Sequence, residues 1–311
     1  MKQVLVDFFV IGVARGGTTS LYNYLQQHPA IFLPKVKECN FFSEVDSLDK
    51  EVYLKPEKNK EYHMKIIQDE AVYFSLFDNA LDSQLKGEIS PSYLWDRNTA
   101  ERIFNHNPNA NLLISLRNPI ERAHSHYLMN YQTGHEKESS FEDALKAPKN
   151  NIWGGGNMYL EMGMYYEQLK PYYDRFNSEN IKVIVSEEWT RNNGEALNEI
   201  YNFLGLQSFD ALEVDTAHNA AKQIKNKGLL AFLRLEKIKR PLKWLLPEKA
   251  KDKLKDRWFY KEGEKQCLDP ETYRRLEDHF REDIRKTEDL TGLDLSGKWR
   301  IRNNSNLKTI E

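Results

Sequence analysis

Near the amino end, Gly12-Val-Ala-Arg-Gly-Gly-Thr-Thr-Ser20 gathers the residue types that hold an anion. Gly16 and Gly17 let the backbone approach a ligand closely, Thr18, Thr19 and Ser20 add hydroxyl donors, and Arg15 adds a permanent positive charge. If a strand enters this loop and a helix leaves it, backbone N–H groups and the helix dipole converge on one point, which suits a phosphate. Gly12 and Gly17 have the spacing of a nucleoside-triphosphate loop, but Thr18 stands where that motif requires lysine. The run Leu112–Leu116 then ends in Arg117, a cation where a kinase commonly places a magnesium-binding carboxylate. The pair of substitutions predicts an anion neutralised by side chains, without a metal. It disfavours a small-molecule kinase, and a non-catalytic nucleotide-binding module is the other alternative.

Stepping from the loop to its supports, short apolar runs at Phe8–Val13, Leu112–Leu116 and Ile181–Val185 read as buried strands. Helical patterns at Thr19–His28, Pro119–Tyr131 and Glu195–Leu204 lie between or after them. This order predicts an α/β fold with a central parallel sheet flanked by helices and ligands at the carboxyl ends of the strands. Arg117 would end a strand, with Pro119 in the first turn of the next helix and Ser125 about two turns further on. A guanidinium and a hydroxyl so placed can bind one phosphate from two sides. The polar, then glycine-rich stretch from Gly134 to Asn157 reads as a mobile excursion over the sheet.

The chain has 311 residues, 40% of them hydrophobic, enough to bury a full core as a single domain, with its main part over about 4–210 and a basic helical region over about 218–300. With 45 basic and 47 acidic residues the net charge is −2, so no general nucleic-acid binder is expected. The balance is uneven. Lys222–Lys265 carries fifteen basic and six acidic residues, a surplus of nine. Such a segment reads first as a solvated helical region packed on the main domain, and it could also steer an acidic substrate, close over the anion site through Lys261–Cys267, or contact a membrane surface peripherally. Cys39 and Cys267 are far apart and lack metal-ligand spacing, which fits a reducing compartment, and Asp7 interrupts the first apolar run, which argues against a signal peptide. A cytoplasmic protein is expected. Oligomeric state is not legible in the sequence.

Several segments together resemble the sulfotransferases that use 3′-phosphoadenosine 5′-phosphosulfate (PAPS), and most closely the branch containing heparan-sulfate and many bacterial members. They are Gly12 to Pro29, Lys37-Glu-Cys-Asn-Phe-Phe42, Gly87-Glu-Ile-Ser-Pro-Ser-Tyr-Leu94, Ser115 to Tyr127, Gly163-Met-Tyr-Tyr-Glu-Gln-Leu169 and Phe203-Leu-Gly-Leu206. The resemblance implies that Arg15, Gly16, Gly17, Thr18, Thr19 and Ser20 hold the 5′-phosphosulfate and that Arg117 and Ser125 hold the 3′-phosphate. It implies that Glu38 is the base that deprotonates the acceptor, with Phe41 and Phe42 limiting water around it. The product nucleotide would be 3′-phosphoadenosine 5′-phosphate (PAP). The expected acceptor is a hydroxyl or amine of a carbohydrate, and after it a lipid or small-molecule alcohol at a membrane surface. Other readings of these residues are that Glu38 only pairs with Lys35 or Lys37, and that His124 or His126 is the base. Three positions depart from the family pattern: Arg15 replaces a lysine, Ile89 replaces a lysine found in many relatives, and Asn40 replaces a histidine.

Overall fold

The computed structural model describes residues 4–45, 66–210, 222–224, 260–262 and 268–300. Five parallel strands form one sheet in the order β2-β3-β1-β4-β5. They are β1 (Phe8–Gly12), β2 (Ile31–Phe32), β3 (Leu85–Ile89), β4 (Asn111–Leu116) and β5 (Ile181–Val185). Every residue of β1 is buried, as expected of a central parallel strand covered on both faces. The chain leaves β1 toward β2 on one side and later returns to place β4 on the other. The strand order therefore reverses beside β1, where ligands bind in open α/β sheets.

Helices cover both faces: α1 (Thr18–Leu25), α2 (Glu70–Ser75), α3 (Ser92–Trp95), α4 (Thr99–His106), α5 (Pro119–Thr133), α6 (Phe141–Lys146), α7 (Tyr165–Tyr173), α8 (Ser186–Trp189), α9 (Asn193–Phe203), α10 (Pro270–Thr291) and α11 (Leu295–Trp299). On one face, Phe9, Ile11, Leu112 and Ile114 pack with Tyr93, Ile103, Ile120, Tyr165 and Phe280. On the other, Phe8, Val10 and Leu113 pack with Leu21, Leu25, Ile200 and Tyr201. The alternation of β1 between the two clusters explains its unbroken apolar run.

The expected strands and helices at these positions are present, with ends shifted by up to three residues. β2 and β3 carry too few apolar residues in sequence to declare themselves: β3 is Leu-Lys-Gly-Glu-Ile. The stretch expected to be an irregular excursion contains α6, whose start is capped by Ser140 Oγ accepting from the Asp143 N–H at 3.1 Å. A short antiparallel pair, β6 (Lys222–Ile224) with β7 (Tyr260–Glu262), lies at the two ends of the basic segment. The rest of that segment, and the Lys261–Cys267 loop apart from its first two residues, lie outside the described residues. Among the described residues no helix is long and apolar enough to cross a membrane.

Candidate functional site

The loop after β1 is built by its neighbour β4. The Val13 N–H donates to the Ser115 carbonyl at 2.7 Å, and Ser115 Oγ donates to the Gly16 carbonyl at 2.6 Å. The indole N–H of Trp189, from α8, donates to that same Ser115 Oγ at 3.3 Å. Glycine is required at both positions of the turn. A Cβ on Gly16 would lie 2.8 Å from the Ser115 carbonyl oxygen, and Gly17 has φ 84° with Trp189 only 2.6 Å from where its Cβ would be. With the backbone pulled in this way, α1 starts at Thr18, and the first N–H groups of a helix have no partner within it. Thr18 and Ser20 are buried, and Thr19 is exposed.

Arg15 is the loop's cation, and it takes the left-handed conformation, with φ 73°. Its Nε donates to Ser125 Oγ at 3.1 Å, and Arg117 Nη1 donates to the Arg15 carbonyl at 2.9 Å. So Arg15, Arg117 and Ser125 meet at the carboxyl ends of β1 and β4; Arg117 stands at the end of its strand with Ser125 on the next helix as expected, and the bond from Arg15 to Ser125 joins two groups expected on different phosphates. Partial desolvation and then the neighbouring Arg117 lower the Arg15 pKa, opposed by the negative charge of Glu38.

Arg117 and Ser125 are held by helix geometry. Asn118 Oδ1 caps α5 by accepting from the N–H groups of Ile120 and Glu121 at 3.0 and 3.3 Å, with Pro119 in the first turn. The Arg117 carbonyl accepts from Tyr165 OH at 2.7 Å. Tyr165 begins α7, and the α7 start is fixed by Asp283 of α10, whose carboxylate accepts from the Tyr165 N–H at 2.6 Å and the Tyr166 N–H at 3.2 Å. Burial raises the Asp283 pKa to about 6, and the two N–H bonds work against it. A helix near the carboxyl end of the domain thus reaches back to Arg117.

Glu38 lies between β2 and α2 on a loop anchored by aromatic rings. Phe41 stacks on Tyr73 with ring centres 4.1 Å apart, and Phe42 sits edge-on to Phe9 and Tyr73. These rings pack into the core, and the group that contacts the Glu38 carboxylate is Lys37, in an ion pair with only 13% of the Glu38 side chain exposed. The pairing with Lys37 anticipated as an alternative is therefore present, while Lys35 is exposed. The two histidines have other surroundings. His126 is buried, and burial, then Arg122 and Arg15, push its pKa well below the usual value. His124 rests against Phe141 and Tyr127.

Two features of the site are absent from the sequence reading. Arg122 on α5 is fully buried, and its Nε and Nη1 have no partner among the described residues. Burial lowers its pKa to about 10, with Tyr165 opposing and Arg117 and Arg15 reinforcing. It forms a third guanidinium within electrostatic reach of the other two. The second feature is Glu88 at the end of β3, also buried, beneath the Glu38 loop. The only signal for it was the Gly87-Glu-Ile-Ser-Pro segment, where attention fell on Ile89.

The chain is similar to known proteins in sequence and in fold. A family model described as sulfotransferase domain matches residues 5–288. A membrane-associated sulfotransferase, kil1, of Dictyostelium discoideum is 34% identical over 128 residues, 41% of this chain and 24% of that protein. The heparan sulfate glucosamine 3-O-sulfotransferase 3A1 of Mus musculus is 23% identical over 210 residues, 66% of this chain and 47% of that protein. The chain thus spans about half or less of the length of these curated relatives. The crystal structure of a sulfotransferase from Alicyclobacillus acidocaldarius superposes with a TM-score of 0.68 at 27% identity, covering 96% of this chain and 99% of that one.

The clamp on the loop makes a direct prediction. Ser115→Ala leaves the Gly16 carbonyl and the Trp189 N–H without their partner, and buried groups so orphaned cost on the order of 1–3 kcal/mol. Denaturant unfolding should show a loss of that size. An unfolding free energy equal to that of the unaltered protein would mean that the clamp contributes nothing.

Proposed function

This chain belongs to the sulfotransferase-domain family, and we propose that it transfers a sulfuryl group from PAPS to a hydroxyl or amine of a carbohydrate. The observation that carries the reading is the convergence of Arg15, Arg117 and Ser125 on a glycine turn at the reversal of strand order, with the negative charge of Glu38 acting on Arg15. The residues fit a bisphosphorylated nucleotide. A Cβ would fill the cradle at Gly16 and Gly17, and the unpartnered atoms of buried Arg122 call for a negative charge nearby. PAPS supplies the activated sulfuryl group.

Each residue then has a distinct task. The first-turn N–H groups of α1, with Thr18, Thr19, Ser20 and Arg15, hold the 5′-phosphosulfate, and Arg117 and Ser125 hold the 3′-phosphate. Glu38 accepts the proton of the acceptor as its oxygen or nitrogen bonds to sulfur. The bond from sulfur to the phosphate oxygen breaks with its electron pair staying on PAP, and Arg15 faces the charge that grows there. The Lys37 ion pair fixes the Glu38 carboxylate in place. A carbohydrate acceptor is supported by the name of the mouse relative. The departures at Arg15, Ile89 and Asn40 bear on which carbohydrate is taken.

Labelled-sulfate transfer from PAPS to a panel of glycans, lipids and phenols tests the reading; transfer to none of them contradicts it. Glu38→Gln should lower kcat by on the order of 10²–10⁴, the usual contribution of a general base, while PAP binds as before. Near-normal turnover at saturating PAPS and acceptor would assign the base elsewhere.

The two arginines should differ in kind. Arg15→Ala should depress kcat as well as PAPS binding, because charge grows at its position in the transition state. Arg117→Ala should mainly weaken nucleotide binding and erase the preference over adenosine 5′-phosphosulfate. Equal discrimination by Arg117→Ala and the unaltered protein would overturn the 3′-phosphate assignment.

A further inference from the structure

The Glu88 side chain is 1% exposed, sealed beneath the loop that carries Glu38. Its carboxylate accepts three hydroxyl groups: Tyr73 OH at 2.8 Å, Tyr93 OH at 2.7 and 2.8 Å to its two oxygens, and Ser90 Oγ at 2.5 Å. These donors come from α2, α3 and the turn after β3, so three segments point donors at one anion. Burial raises its pKa to about 7, and the three hydroxyls oppose the rise. Tyr73, Tyr93 and Cys39, all fully buried, are titratable groups beside it, each pushed well above its usual pKa by burial and then by Glu88. Such a desolvated carboxylate is costly, and the sheet could be closed with an apolar side chain instead.

The bonds continue from Glu88 to the loop. Ser90 Oγ, which donates to Glu88, accepts from the Asn40 N–H at 3.0 Å. Asn40 Nδ2 donates to the Glu38 carbonyl at 2.5 Å, and Asn40 Oδ1 accepts from Ser92 Oγ at 2.5 Å. The Glu38 N–H donates to the Ile89 carbonyl at 3.0 Å, directly after Glu88 in β3. Tyr93 OH also accepts from the Phe42 N–H at 3.3 Å. The segment so tied has an unusual backbone, with φ 62° at Glu38 and 53° at Asn40. Asparagine tolerates the left-handed region, but glutamate rarely adopts it, so Glu38 stays there only if its surroundings hold it. Glu88 cannot itself take the acceptor's proton, since it is sealed from solvent with its oxygens engaged by internal donors.

We propose that Glu88 is a positioning residue, acting through Ser90 and Asn40 to hold Glu38 in the left-handed conformation in which its carboxylate pairs with Lys37. The inference rests on the reading of Glu38 as the base. It explains why an asparagine stands at position 40: its amide bonds both Glu38 and Ser92 while its own backbone is left-handed. Ser43 Oγ, bonded to the Asn40 carbonyl at 3.1 Å and to Ser92 Oγ at 2.9 Å, closes the ring of contacts.

Cys39 lies between the two left-handed residues and reports on the loop without any need for turnover. The test uses the full chain in a Cys267→Ser background, which leaves Cys39 as the one thiol. Glu88→Gln keeps the shape of the side chain but turns an amide toward hydroxyl donors. Asn40→Gly keeps the positive φ and deletes the side-chain bonds. Iodoacetamide should label Cys39 at least tenfold faster in both variants, while PAP affinity stays within twofold and kcat per PAP-binding site falls at least tenfold with little change in KM for PAPS. Ile103→Val, a core change outside the network, is the control for general loosening and should shift neither labelling nor kcat comparably. Labelling within twofold of the parent in both variants overturns the proposal, as does faster labelling with kcat retained. If the unaltered protein transfers no sulfate to any acceptor, the base reading fails on its own account, and the labelling arm still decides whether Glu88 holds the loop.

Discussion

One serine hydroxyl at the end of β4 sets the shape of the anion site. Ser115 Oγ is bonded to the Gly16 carbonyl and receives the Trp189 N–H, and its own carbonyl holds Val13. Three segments that are distant in sequence are drawn together there: the turn after β1, the last residues of β4 and the short helix after β5. The close approach explains why Gly16 and Gly17 admit no side chain. It also places the start of α1 beside Arg117, which follows Ser115 by two residues. The loop's ability to gather N–H groups thus depends on a contact made from the neighbouring strand.

Around that turn the balance of charge decides the chemistry. After burial, the positive charge of Arg117 lowers the pKa values of Arg15 and of buried Arg122, and Arg15 also lowers that of Arg122, so the cations repel one another until an anion arrives. The carboxylates nearby serve other ends: Glu38 is paired with Lys37, and Asp283 caps α7. In the proposed function, this repulsion is relieved when a doubly phosphorylated ligand binds. The support extends outward through Tyr165 and α10, so the long helix near the carboxyl end belongs to the site as much as the loop near the amino end does.

The parts legible in the sequence were those with strong local patterns. The apolar runs within β1 and β4, the Pro119 helix start and the glycine turn each carry their signal within a few residues, and the placement of Arg117 at a strand end with Ser125 on the next helix follows from the same patterns. What escaped reading was set by contacts between distant segments. Leu-Lys-Gly-Glu-Ile looks too polar for an internal strand, yet β3 pairs with both β2 and β1, and its glutamate is buried because Tyr73, Tyr93 and Ser90 satisfy it. Phe41 and Phe42 were expected to shield Glu38; they anchor its loop in the core, and Lys37 makes the contact. Asn40 looked like a departure from a pattern and proved to be a structural tie.

The central claim is that the turn pinned by Ser115 and the cations beside it receive the two phosphate groups of one nucleotide. A crystal structure of the protein with PAP tests it most directly. The account predicts the 5′-phosphate on the N–H groups that begin α1, beside Arg15, and the 3′-phosphate between Arg117 and Ser125, with the Arg15 to Ser125 hydrogen bond given up to the ligand. A nucleotide bound elsewhere on the sheet, or one whose 3′-phosphate touches neither Arg117 nor Ser125, would contradict it.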